Sequence, residues 1–311
     1  MEQPWDCIVV GAGAAGLSAA LVLGRARQHT LVVDAGNQSN RAAHGIGGFL
    51  GQDGRPPDAF YAASREEVAA YPTVELRSGE VVGGAPDEGG FVLELAGGTR
   101  EATRRVLLAT GMEYRLPALP GVAERWGRSV FHCPFCHGWE VRDRPLGVLD
   151  RGAAGVQRAL LLRVWSDDVT LLAGGPAELD DEDAAARLRA VGVAVDERPV
   201  AGLRGPDDTL TAVVFADGAE RPCGGLLVPV TLHQRSALAE QLGAGAAEPG
   251  HVAADAVEID ARYSTGVPGL FAAGDVSSQM PSVANAVAAG AGAAAMVVHD
   301  VALGAPAGVT A

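Results

Sequence analysis

Cys7-Ile8-Val9-Val10-Gly11-Ala12-Gly13-Ala14-Ala15-Gly16 decides the fold of this chain. Four apolar residues, enough for a buried strand, run into G-x-G-x-x-G. An apolar helix pattern follows over Leu17 to Ala26, and Thr30-Leu31-Val32-Val33 reads as a second strand ending on Asp34. Strand, glycine turn, helix and strand make a βαβ unit. Gly11 permits the tight turn, Gly13 lets backbone approach a pyrophosphate, and Gly16 lets helix and strand close on each other. The helix start, with Ala14 and Ala15, presents N–H groups to phosphate oxygens. Asp34 stands where ribose hydroxyls need an acceptor.

A degenerate copy lies further on. Leu146 to Leu149 is its strand, Ala153 to Trp165 its helix and Val169 to Leu172 the next strand. Two copies of one module predict an α/β protein of two Rossmann-like domains. Between them, Val106 to Gly111 reads as a buried strand ending in glycine, Val81 to Leu95 as hairpin material, and Leu116 to Gly121 as a linker. Leu210 to Ala216 and Gly225 to Val230 read as strands. Asp180 to Val191 reads as a helix with an acidic first turn, which suits the helix dipole. The tail carries Gly269-Leu270-Phe271-Ala272-Ala273-Gly274-Asp275 and then a small-residue helix to about Ala302. Arg41 to Pro57 is rich in glycine; such a long loop inside a domain is usually functional.

At 311 residues with a net charge of -14, the chain is long enough for two cores and too acidic for sequence-independent binding of nucleic acid or anionic membrane. The first residues are polar, and no stretch reaches the roughly 20 uninterrupted apolar residues of a membrane span. The Ala284 to Ala295 stretch is too small and too glycine-broken. The expectation is a soluble, cytoplasmic protein. Of the four cysteines, Cys7 reads as a small hydrophobe in a buried strand and Cys223 has no partner in sequence. Cys133-Pro134-Phe135-Cys136 is a C-x-x-C, in a reducing compartment catalytic or metal-binding rather than a staple. Zinc would need four ligands from His132, Cys133, Cys136 and His137, whose adjacent pairs are poorly placed for a closed tetrahedron, so no metal is expected.

These motifs resemble the two-domain FAD/NAD(P)-binding disulfide oxidoreductases, specifically the low-molecular-weight thioredoxin reductases. The resemblance covers nearly the whole chain and implies a homodimer with a discontinuous FAD domain, residues 1–115 and 238–311, around a central domain of residues 116–237. It implies FAD as cofactor, held by Gly11, Gly13, Ala14, Ala15, Gly16, Asp34, Ala35, Arg41, Thr110, Gly111, Gly274, Asp275, Val283 and Ala284. His44 either approaches the flavin or sits in core or surface.

Two departures qualify the resemblance. NADPH-dependent members need a second G-x-G-x-x-G/A, with basic residues after the next strand. Here Asp150-Arg151-Gly152-Ala153-Ala154-Gly155 puts a carboxylate at the first glycine. Repulsion between it and a phosphate at about 4 Å costs roughly 1 to 4 kcal/mol, depending on the dielectric. Ala173-Gly174-Gly175-Pro176 supplies no arginine. The second departure is Phe131-His132-Cys133-Pro134-Phe135-Cys136-His137-Gly138-Trp139, which is similar to the FAD-dependent dithiol oxidases of disulfide-containing natural products, the gliotoxin and holomycin type. That similarity implies a small-molecule dithiol substrate, as in antibiotic biosynthesis, and dioxygen as electron acceptor, with hydrogen peroxide as product.

A C-x-x-C at a helix start has one thiol of lowered pKa, and imidazoles beside it serve proton transfer. By the resemblance, Cys133 is the outer sulfur that substrate attacks and Cys136 the inner sulfur that reduces flavin. His132 ranks above His137 as base because it precedes the outer cysteine. Phe131, Phe135 and Trp139 either wall a hydrophobic pocket or pack. Two rival functions stand: a protein-disulfide reductase fed by NADPH or ferredoxin, and a non-enzymatic flavin or cysteine redox sensor.

Overall fold

A computed structural model describes residues 4–179 and 182–304. The chain opens with β1 (Cys7–Val10), α1 (Ala14–Arg25), β2 (Thr30–Asp34), α2 (Pro57–Ala69) and β3 (Val74–Ser78). β4 (Val81–Asp87), β5 (Gly90–Leu95) and β6 (Arg100–Thr103) form an antiparallel meander. β7 (Val106–Leu108) and β8 (Met112–Arg115) follow. Then come α3 (Val122–Arg125), β9 (Val130–Phe131), α4 (Pro134–Val141), β10 (Leu146–Leu149), α5 (Gly152–Leu162), β11 (Val169–Leu172), α6 (Glu182–Ala190) and β12 (Ala194–Asp196). A second meander joins β13 (Val200–Arg204), β14 (Ala212–Phe215) and β15 (Glu220–Pro222), before β16 (Gly225–Leu227) and β17 (Thr231–Gln234). The chain ends with α7 (Leu238–Gln241), β18 (Leu270–Ala272) and α8 (Val283–Leu303).

Two units divide these elements. The first takes the chain up to Ser39, Pro57–Tyr114 and everything from Thr231; the second takes Asn40–Pro56 and Arg115–Val230. The first unit's sheet runs β18-β7-β1-β2-β3, all parallel. The second unit's runs β12-β11-β10-β16-β9, also all parallel. Central parallel strands are covered on both faces, so unbroken apolar runs such as Cys7-Ile8-Val9-Val10 and Val106-Leu107-Leu108 belong there and are buried throughout. Register matters more than order. Val10 is level with Val33 and Leu108, and Leu108 with Ala272, so Gly11, Asp34, Ala109 and Ala273 emerge together at the carboxyl edge. In the second unit Val148, Leu171, Leu227 and Phe131 are aligned through β10 and β16 in the same way, which brings Asp150 and His132 to one edge, two strands and one residue level apart.

Three boundaries, and the reading of the last helix as too broken to span a membrane, differ from the sequence reading. α1 starts at Ala14, three residues before the expected Leu17, because the glycine motif is itself the first helical turn. The expected domain change after residue 237 falls at Thr231, since β17 pairs with β8 of the first unit. The glycine-rich loop 40–56 belongs to the second unit, although the expected division gave it to the first. The glycines near the end do not break α8: it runs for 21 residues with mean hydropathy 1.6, long and apolar enough by length and composition to cross a membrane, and it packs along α1. The expected helix start at Asp180 lies outside the described residues.

The second core gathers Phe131, Val148, Leu162, Leu171 and Leu227 under the sheet. Phe131 is fully buried, whereas Phe135 is 71% exposed. Truncating a buried aromatic typically costs about 3–5 kcal/mol, and an exposed one costs little. Phe131→Ala should therefore lower the urea midpoint by that equivalent, while Phe135→Ala stays within about 0.5 kcal/mol of wild type. Equal losses would mean that the two rings are not divided between core and surface as described.

Candidate active site

Cys133 and Cys136 form a disulfide, Cα to Cα 5.4 Å. Cys133 is the N-cap residue of α4, and Pro134 takes the first helical position, where its fixed φ suits the helix and its missing N–H costs nothing. The dipole of α4 thus points its positive end at Cys133, which favours a thiolate there on reduction. Loop 40–56 is strapped beside this pair. Arg128 Nε donates to the Ala42 carbonyl at 2.9 Å, Arg128 also pairs with Asp208, and His44 Nε2 lies 3.4 Å from the same carboxylate. Gly47 sits so close to the Cys136 carbonyl that a Cβ would run into it.

The two histidines differ. His132 stacks on Trp126, with ring centroids 5.7 Å apart. Burial, then the neighbouring His137 and Arg158, push it down to about 4. His137 stacks on Phe131 at 5.6 Å, so the buried phenyl ring is a shelf for the imidazole and not a pocket wall. His137 Nε2 is 3.0 Å from the Gly127 carbonyl. A carbonyl only accepts, so Nε2 holds the proton of the neutral ring and Nδ1 holds the lone pair. Nδ1 is buried without a hydrogen bond. Burial lowers the pKa of His137, while the Gly127 carbonyl, Glu140 and the Cys133 carbonyl act to hold it up.

At the carboxyl edge of the first unit, Gly11 has φ +101° and Gly16 seats α1 directly on the Gly11 carbonyl, where a Cβ would not fit. Gly13 caps α1 without any side-chain hydrogen bond, and its missing Cβ faces space bounded by Gln38 Cγ at 4.0 Å. Asp34 Oδ1 accepts from Ala12 N at 3.0 Å, Arg65 pairs with Oδ2, and Gln38 Nε2 reaches both oxygens at 3.3 Å. Burial alone would raise the Asp34 pKa; Arg65 and the N–H groups of Ala12 and Gly36 outweigh it and lower it. Asp275 follows Gly274 at the end of β18 and accepts from the Tyr114 hydroxyl at 3.3 Å. Burial raises the Asp275 carboxyl to about 6, against the pull of Tyr114 and Arg235. Ala14, Ala15, Ala35, Thr110, Gly111, Val283 and Ala284 all lie in this unit, whereas Arg41 and His44 lie in the second. Arg65, Gln38 and Tyr114 carry no motif; they reach the site from α2, a turn and β8, and only the tertiary structure reveals them.

The second unit's motif is built the same way but filled. Asp150 Oδ1 accepts from Arg151 N at 2.8 Å at the start of α5, and Arg158 pairs with Oδ2. Arg151 turns to Glu178 at 3.4 Å. The carboxylate thus stands at a helix N-terminus of the kind that binds phosphate. After β11, the Ala177 N–H is taken by Glu197 at 2.8 Å.

Comparison with known proteins agrees with this arrangement. The family model of pyridine nucleotide-disulphide oxidoreductases matches residues 5–290. The chain belongs to this family. It is an oxidoreductase of the thioredoxin-reductase type, from a family of flavoproteins. Thioredoxin reductase tcpT of Claviceps purpurea is 33% identical over 92% of this chain and 90% of its own length. Among solved structures, an oxidoreductase from Agrobacterium tumefaciens is 38% identical with TM-score 0.90, covering 97% of this chain and 99% of that one. The structure of HlmI is 38% identical with TM-score 0.89, covering 97% and 94%.

Asp275 has a consequence for stability in this oxidoreductase. Its folded pKa of about 6 lies above the ordinary 3.8, so the fold binds the proton more tightly than the unfolded chain does. The resulting stability is fully present below about 3.8 and is lost as pH rises through about 6. The rise from 3.8 to about 6 amounts to about 3 kcal/mol. Flavin-stripped wild type should lose up to that much across this window in urea titrations, and Asp275→Asn should flatten the slope. An unchanged slope in the variant would show that Asp275 is not the titrating group.

Proposed function

We propose that this oxidoreductase oxidises a small-molecule dithiol to its intramolecular disulfide with dioxygen as acceptor: R(SH)2 + O2 gives RS2 + H2O2. The observation that carries this reading is the Asp150–Arg158 pair at the start of α5. A carboxylate already fills the place of a nucleotide phosphate, so electrons enter from thiols at Cys133–Cys136 and not from a nicotinamide. The names of relatives point to thioredoxin reduction; the filled motif favours the opposite direction of flow.

The first unit fits FAD. The uncapped start of α1, the space at Gly13, the ionised Asp34 and the half-buried Asp275 are the donor and acceptor set that a pyrophosphate, a ribose and a polyol chain require. The chemistry FAD supplies when bound is a two-electron relay from the cysteine pair to dioxygen. The chain's own residues do the rest. Substrate thiolate attacks Cys133 to give a mixed disulfide, releasing Cys136 as a thiolate. The second substrate thiolate then attacks the substrate sulfur, closing the ring and releasing Cys133 as a thiolate at the positive end of α4. Two thiol protons must be removed. Of the two imidazoles, His137 is the better placed. Its Nδ1 lone pair is buried and takes part in no hydrogen bond, and the Cys133 carbonyl acts in the direction that favours the protonated ring. His132, at about 4, would hold a proton in roughly one molecule in 10³ at pH 7. Burial weighs on both rings alike, and the Gly127 and Cys133 carbonyls and Glu140, which hold the pKa of His137 up, favour His137 over the residue that sequence position favours.

Air-saturated protein should consume oxygen with a simple dithiol and no nicotinamide, forming one peroxide per disulfide, and Cys136→Ser should end the uptake. NADPH added under argon should leave the oxidised flavin spectrum unchanged; rapid bleaching at micromolar NADPH would overturn the oxidase reading. Dithiol turnover also tells this enzyme from a redox sensor, which would cycle once.

Removing a general base costs about 10² to 10⁴ in rate. His137→Ala should lose turnover in that range at about pH 7 and recover much of it near pH 9, where thiols of pKa about 8.5 ionise unaided. His132→Ala should lose less at pH 7. The opposite order in the pH–rate profiles would return the role to His132.

A further inference from the structure

We propose that Tyr114 is the positioning residue of the cofactor carboxylate Asp275, and that through it bound FAD rigidifies the two-stranded ribbon that carries the chain out of the first unit and back. The proposal rests on the FAD reading above, and three observations point to it. First, β8 and β17 form a two-stranded sheet separate from the parallel sheets of both units, and β17 is tied further only by a bridge from Leu232 to Ala253. Second, these strands hold two of the four crossings between units, after Tyr114 and before Thr231. Third, each side of the ribbon sends one side chain toward the same acid. The Tyr114 hydroxyl donates to Asp275 Oδ2 at 3.3 Å, and Arg235, the residue after β17, acts on both Asp275 and Tyr114 by charge. Arg235 Nε also lies 4.0 Å from where a Cβ of Gly111 would be, between the ends of β7 and β8.

The chemistry joins these facts. Among the described residues, the Asp275 carboxylate has one hydrogen bond, the one from Tyr114, and the group is only partly exposed. A half-buried carboxylate with one protein donor keeps acceptor capacity for another. A polyol hydroxyl of the cofactor would be the missing donor. It would fix the carboxylate, and a fixed carboxylate fixes Tyr114 on β8. Ordering by one ligand then reaches the ribbon, and linkage requires that an ordered ribbon hold the cofactor more tightly in return.

Hydrogen exchange tests this on the full chain, with and without saturating FAD. In wild type, FAD should slow exchange of amides 112–115 and 231–234 by about tenfold or more. In Tyr114→Phe the ring packing remains but the donor is gone. FAD should still bind, with a Kd about five- to tenfold higher for one lost hydrogen bond. The ribbon should then exchange alike with and without FAD. Asp275→Asn keeps an acceptor for the Tyr114 hydroxyl, so slowing should persist at saturating FAD. A wild-type ribbon that ignores FAD overturns the proposal, whatever becomes of the variants. So does a Tyr114→Phe ribbon that slows as wild type does. Protein that takes up no FAD at all overturns the cofactor reading itself, a distinguishable failure.

Discussion

The backbone contact between Gly16 and the Gly11 carbonyl is the constraint on which the first unit depends. It lets α1 lie against β1 with no side chain between them, and so aims the N–H groups of the first turn at the carboxyl edge of the sheet. Parallel register then delivers Asp34, Gly111 and Asp275 to the same edge from three other strands. No single element makes the cradle. Its parts lie far apart in sequence and meet because strands β1, β2, β7 and β18 end at one level.

The second unit repeats the scaffold and changes the chemistry at the same edge. Its aligned strand ends present Asp150 where the first unit presents Gly11, and His132 leads into the disulfide helix. The acid there is satisfied by Arg158 and by the Arg151 N–H, so it is a settled feature of the fold and not an unpaired liability. Arg158 in turn lowers the pKa of His132, which ties the altered motif to the cysteine site.

Much of this was legible in the sequence because it is written in short range. Strand, glycine turn and helix share one window, so β1, α1 and β2 could be placed from periodicity and spacing, and the same holds for β10, α5 and β11. The C-x-x-C at a helix start was readable because Pro134 marks the first helical position. What stayed hidden depends on contacts across long separations. Arg65 reaches Asp34 from α2, Tyr114 reaches Asp275 from β8, and nothing local marks either. The contact of His137 with the Gly127 carbonyl, ten residues back in the chain, is one that no spacing encodes. Phe131 could be read as wall or core, and only packing showed it to be core and a shelf for His137.

The placement of loop 40–56 bears on how such a protein can be inherited piecewise. Gly47 rests on Cys136, and Ala42 is held by Arg128, yet this loop is threaded between β2 and α2 of the other unit. Residues 115–230 are therefore not a complete module. Transplanted alone, they would leave the backbone behind the disulfide uncovered. A genetic exchange that swapped the cysteine-bearing segment would have to carry two separate stretches of chain at once, so the disulfide and this loop are bound to change together.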